Sequence, residues 1–213
     1  LKGIPTNPPS SGIVQNTSYK DINFEALAYR KPKETSKELL VYDASLARLQ
    51  KAGFKRHARS TEVFSLLADN LENKLSGNLK SLAEDMLASY GEWLNLAFER
   101  EGNKLFVYTD PDGLSWNGTA YVKQPNFKFS DKKEFDITGK SSATWIDLKE
   151  FSDDFVKLVY GRSFSALPKE MREGNKRAQV ALPNNKEARP VGRDDYLSYD
   201  VSGFYSGASR GVR

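Results

Sequence analysis

Residues 48–59 read RLQKAGFKRHAR: five Lys or Arg side chains, the sole histidine of the chain, and no acid. Ser60, Thr61 and Glu62 come next. Ser and Thr are good helix caps, and an acid in the first turn suits the helix dipole. A helix start also offers free backbone N–H groups that favour an anion. Lys55, Arg56, His57 and Arg59 therefore form a candidate phosphate site. The same cations have an internal alternative in Glu62, Asp69, Glu72, Glu84, Asp85, Glu92, Glu99 and Glu101. Charge runs commonly pair within the chain or stay solvated. His57 has no nucleophile or acid beside it in sequence, so it is read as a capping or solvated imidazole and not as a catalyst.

A second set is aromatic. Trp116, Tyr121, Phe127, Phe129, Phe135 and Trp145 alternate along the chain with Lys123, Lys128, Lys132, Lys133 and Lys140. On one exposed face they would make a stacking platform for single-stranded DNA or RNA, with Trp116, Lys128 and Trp145 as contacts. Turned inward, the same rings are core and the lysines are solvent face.

A third set is acidic. Asp147-Leu148-Lys149 follows an aromatic strand, Asp112 precedes it, and Glu92 stands upstream. An acid on one strand, with Asp-x-Lys on the next, resembles the loose motif of Mg²⁺-dependent nucleases. Two carboxylates would hold the metal and a lysine would steady the attacking water. Asp112 has a simpler role in the turn Asp110-Pro111-Asp112-Gly113. Outside this alternative no cofactor is expected. The chain carries no Gly-rich phosphate loop, HExxH or GxSxG pattern.

The elements that would position these residues are legible from spacing. Val63, Leu67, Leu71, Leu75, Leu79, Leu82, Met86, Tyr90, Leu94 and Ala97 recur at three- and four-residue steps, which predicts helix from Thr61 to Glu101 with Gly102 as its stop. Ser76-Gly77-Asn78 divides that run into two helices. Thr35 and Glu38 form a capping box for an earlier helix with Leu39, Tyr42, Leu46 and Leu49 on its face. Short strands are predicted at 105–109, 114–116, 119–122, 127–129, 135–137 and 144–146. The Asn117-Gly118 pair reverses the chain between two of them. Ser152 caps a helix that Gly161 ends, Pro168 opens another, and 178–182 is a last strand.

These pieces predict an α+β fold: N-terminal helices packed on one face of an antiparallel β-meander, with extended N- and C-terminal arms. Residues 1–18 form the N-terminal arm, 19–185 a single domain, and 186–213 a Gly/Tyr/Arg-containing C-terminal arm. Two arms of linker-like composition suggest a homo-oligomer whose arms wrap neighbouring subunits. With 213 residues the chain can bury a substantial core. The absence of cysteine excludes disulfides and thiolate ligands and fits a reducing, intracellular compartment. No apolar run approaches the ~20 residues that cross a bilayer, so no membrane partner is expected. Leu1 as first residue suits a trimmed or processed product. A net charge of +4 permits an anionic partner. The reading that follows is a non-enzymatic, nucleic-acid-associated binding module. The alternatives are an assembly protein and a Mg-dependent nuclease.

Overall fold

The computed structural model describes residues 19–21, 27–30, 39–88, 92–140, 145–174, 177–194, 197–200, 205–206 and 209–212. The first part runs β1 (Leu27–Arg30), β2 (Leu39–Leu40), α1 (Tyr42–Lys51), β3 (Arg56–His57), α2 (Ser60–Leu71) and α3 (Gly77–Ala88). The middle part is stranded: β4 (Glu92–Glu101), β5 (Lys104–Thr109), β6 (Asp112–Trp116), β7 (Tyr121–Lys128), β8 (Asp131–Asp136) and β9 (Trp145–Asp147). Then come α4 (Asp153–Tyr160), α5 (Lys169–Arg172), β10 (Gln179–Ala181), β11 (Glu187–Arg193), β12 (Tyr199–Asp200), β13 (Tyr205–Ser206) and β14 (Ser209–Val212).

The architecture is α+β, and the main sheet is mostly antiparallel. Its seven strands lie in the order β8-β5-β4-β11-β12-β10-β9, and only the β10–β12 contact is parallel. The period-3.6 stripe does what its spacing dictates. Val63, Phe64, Leu66 and Leu67 of α2 and Leu82, Ala83 and Met86 of α3 are buried against Leu94, Leu96 and Phe98 of β4 and Leu105 and Val107 of β5. Leu71 is half-buried at the margin of this core. Ser152 caps α4 by accepting from the Phe155 N–H, and Gly161 ends it in the left-handed region at φ 77°. Phe155, Val156 and Val159 of α4 complete the same layer.

The other sheet face is covered by the β6–β7 hairpin. Asn117 and Gly118 reverse the chain as expected: the Asn117 N–H donates to the Ala120 carbonyl at 3.1 Å, and Trp116 pairs with Tyr121. Gly118 takes φ 98°, which suits a residue without Cβ. Leu114 and Phe127 of the hairpin pack with Ala97, Phe106 and Tyr108 of the sheet. The result is three layers: helices, sheet, hairpin.

The sequence expectation fails at β4. Residues 92–101 were expected to be helix, yet they form the longest strand and turn back through Gly102, at φ 58°, into β5. Trp93 to Glu99 are all buried. A strand covered on both faces shows no polar alternation, and its Leu, Ala and Glu content imitates a helix stripe. Two further segments differ. Leu39–Leu40 is a strand and α1 begins at Tyr42, while the Thr35–Glu38 capping box lies outside the described residues. The start of the expected C-terminal arm, Glu187–Arg193, is an internal strand between β4 and β12. Pro190 and Gly192 gave this stretch the composition of a linker. The ladder shifts register between them, which is where a strand tolerates a residue lacking its N–H.

Candidate nucleic-acid interface

The basic junction is built as a self-contained ion-pair network. Glu62 is fully buried at the start of α2. Its carboxylate accepts the Arg59 backbone N–H at 2.8 Å and both Arg56 guanidinium nitrogens at 3.0 and 2.6 Å. The anion at this helix start is therefore part of the chain. Arg59 turns its guanidinium the other way, donating to both Asp110 oxygens at 2.8 and 2.6 Å. Asp110 also accepts from Asn95 at 2.6 Å and from the Ser130 hydroxyl at 3.0 Å. Burial opposes the ionisation of Asp110, but the Arg59 bonds outweigh it and hold the carboxyl below its usual range. Lys55 is exposed beside this network.

His57 is enclosed, with no exposed surface. Its Nε2 lies 3.0 Å from the Ser45 hydroxyl, and its ring centroid sits 4.7 Å from that of Tyr42. The pair has the spacing of a nucleophile and its base. Ser45 is only 1% exposed, however, and the His57 Nδ1 has no partner. Without access, and without an acid to orient the ring, the geometry does not support nucleophilic catalysis. Burial lowers the His57 pKa to about 3.

The acids proposed for metal binding are not brought together. Glu92 lies on β4 and Asp147 on β9, four strand steps apart, or roughly 19 Å at the usual spacing. Asp147 is paired with Arg177 and, at 3.8 Å, with Lys149. Asp112 sits on the separate hairpin, paired with Lys128 at 3.2 Å. Among the described residues no group of three or more His, Cys, Asp or Glu could hold a metal ion.

The aromatic set divides. Trp116 is half-buried, 5.1 Å from the Tyr121 ring, and Tyr121 is itself buried against Tyr42 and Trp93. Trp145 is 42% exposed on the three-residue edge strand β9. Phe135 packs against Phe155 in the main core. Phe127 and Phe129 come together with Tyr108, a residue the sequence reading did not single out. Centroid distances are 5.4 Å for Tyr108–Phe127, 4.9 Å for Tyr108–Phe129 and 5.9 Å for Phe127–Phe129. Phe129 is 43% exposed. The missed signal was the alternation Leu105-Phe106-Val107-Tyr108, which sends Phe106 and Tyr108 to the face opposite the helices.

Lys123 and Lys132 lie against these rings, and Lys128 stands between Phe127 and Phe129 in sequence. Lys123 Nζ lies 6.0 Å from the Tyr108 centroid and 5.9 Å from that of Phe127, and it pairs with Glu99. Glu99 also accepts the Tyr108 hydroxyl. Burial disfavours the Glu99 anion, yet the Lys123 and Tyr108 hydrogen bonds hold its pKa below the ordinary value. Lys132 Nζ sits 3.9 Å from the Phe106 centroid and 5.3 Å from Tyr108. Lys128 is exposed at the margin, whereas Lys133 stands opposite Val107 and shares the helix-facing side of β8 with Phe135. The Ser130 N–H donates to the Thr109 carbonyl at 2.9 Å, so the segment carrying Phe129 is pinned beside Asp110. This cluster lies at the β8–β5 side of the sheet. Trp145 is five strand steps from β5, roughly 24 Å, and does not share the surface. No helix among the described residues is long and apolar enough to cross a membrane. Comparison with protein-family models, curated proteins and solved structures finds no match to this chain.

Proposed function

We propose that the chain is a non-enzymatic binding module for single-stranded nucleic acid. Its contacts would come from the rings of Tyr108, Phe127 and Phe129 and from Lys128 and Lys132. The observation that carries this reading is the partly exposed Phe129 ring on a three-ring cluster bordered by lysines. Every base has a π-face, so such a cluster takes bases without choosing among them, while ammonium groups meet the phosphates. Arg56 and Arg59 enter as structural residues, because Glu62 and Asp110 already neutralise them.

Fluorescence anisotropy with labelled oligo-dT across a salt series tests this. Phe129→Ala should weaken binding roughly 5- to 150-fold, the range of one lost base–aromatic stack. Lys128→Ala should reduce the log–log salt slope by about 0.7, one single-strand phosphate contact. No measurable binding at 50 mM salt, or binding without a salt slope, ends the proposal.

A further inference from the structure

Phe106 and Phe129 face the same side of the molecule, but only Phe129 is open. Phe106 is 8% exposed, and the Lys132 ammonium lies over its ring face at 3.9 Å. On the sheet, Phe106 stands between Glu99 of β4 and Glu134 of β8, both directly opposite it. Lys132 is opposite Tyr108 and reaches diagonally to Phe106. The other two lysines of the cluster have carboxylate partners: Lys123 has Glu99 and Lys128 has Asp112 at 3.2 Å. Among the described residues Lys132 has no ion pair within 4 Å, though its charge helps to hold the Glu99 carboxyl below its ordinary range. Its nearest contact is a ring, an anchor about as weak as a surface ion pair when exposed to water.

Resting on the reading above, we infer that Lys132 is a movable cap on a second stacking ring. A phosphate of the incoming strand draws the ammonium off Phe106. The uncovered ring then accepts the base next to the one on Phe129. Ligands carrying both a base and a phosphate open this position, and neutral nucleosides do not. The flanking Glu99 already holds Tyr108 and Lys123, and Glu134 holds Lys104 at 2.8 Å, so the pull of both carboxylates on Lys132 is partly neutralised.

NMR of Lys132 reads the cap directly. In the free protein its ε-methylene protons should be shifted upfield by the Phe106 ring, and Phe106→Leu should remove that shift. Saturation with oligo-dT should return the signal to the ordinary lysine position, whereas thymidine at the same base concentration should leave it in place. An exposed variant pair gives an independent readout. Lys132→Met keeps a long stem over the ring without charge, and Lys132→Ala uncovers it. Both lose the phosphate contact, so Lys132→Ala should bind oligo-dT several-fold more tightly than Lys132→Met. Oligo-dT binding with Lys132 still upfield-shifted, or equal affinities for the two variants, overturns the cap and leaves the binding module standing. Absence of oligo-dT binding in the unmodified chain sinks both.

Discussion

His57 shows how one side chain can look functional in sequence and be structural in the fold. The imidazole beside Lys55 and Arg56 suggested an anion contact, but it is walled in by Tyr42 and Ser45 with its Nδ1 unpaired. Burial lowers its pKa from 6.5 to about 3. Between those values the unfolded chain binds a proton that the folded chain refuses, so stability rises with pH there and is lost as pH falls below 6.5. One such group gives a slope of about 1.4 kcal/mol per pH unit, or roughly 2 kcal/mol between pH 7 and 5. The depressed carboxyls of Asp110, Asp69, Glu99 and Asp147 act further down. Their contribution disappears only once the pH enters the carboxylate range, about 4 and below. Urea denaturation at pH 7, 6 and 5 therefore isolates the histidine. His57→Gln should flatten the dependence in that window. A wild-type stability that does not change from pH 7 to 5 contradicts the closed, neutral imidazole.

At the scale of elements, Asp110 is the joint between the basic junction and the aromatic cluster. It takes the left-handed conformation at φ 48°, which Asp tolerates better than most residues. Through its carboxylate it ties the start of α2, strand β4 and the Phe129–Ser130 bend. Asp110→Ala leaves the half-buried Arg59 without its acid and should cost about 2–3 kcal/mol, the scale of charged hydrogen bonds. Asp110→Asn keeps an acceptor and suits the backbone, so it should cost less. A urea midpoint for Asp110→Ala equal to wild type would show the joint to be inert. This joint was not legible in sequence, because Arg59 and Asp110 are 51 positions apart and nothing local selects between Asp110 and Glu62 as partner. What was legible was periodic or punctuated: the stripe of α2 and α3, the Ser152 and Gly161 caps, the Asn117-Gly118 reversal. Strand β4 was hidden because both of its faces are covered. The three-ring cluster was half visible: Phe127 and Phe129 stood out, while Tyr108 looked like ordinary strand filling.

For the molecule as a whole, chain order and spatial order diverge, and that decides what can be trimmed. β11 lies beside β4 in the middle of the seven-stranded sheet, and it joins β8, β5 and β4 on one side to β12, β10 and β9 on the other. β14 lies between β1 and β3, near the opposite end of the sequence. Arms that wrap neighbours would be dispensable for folding; these segments are not placed that way. Deleting 187–213 exposes the β4 ladder edge, removes Val191, Leu197 and Tyr199 from the main core and leaves β9 and β10 without connection to the remaining sheet. The physical expectation is loss of the cooperative transition, since the two sheet halves no longer share a strand. Calorimetry of the truncated chain should show no sharp heat-absorption peak where the full chain has one. A truncated chain that still melts in one sharp transition near the wild-type temperature would mean that β11 docks on a body already complete without it. The sheet would then end at β4, and an open edge beside the aromatic cluster would become the first surface to test for strand addition.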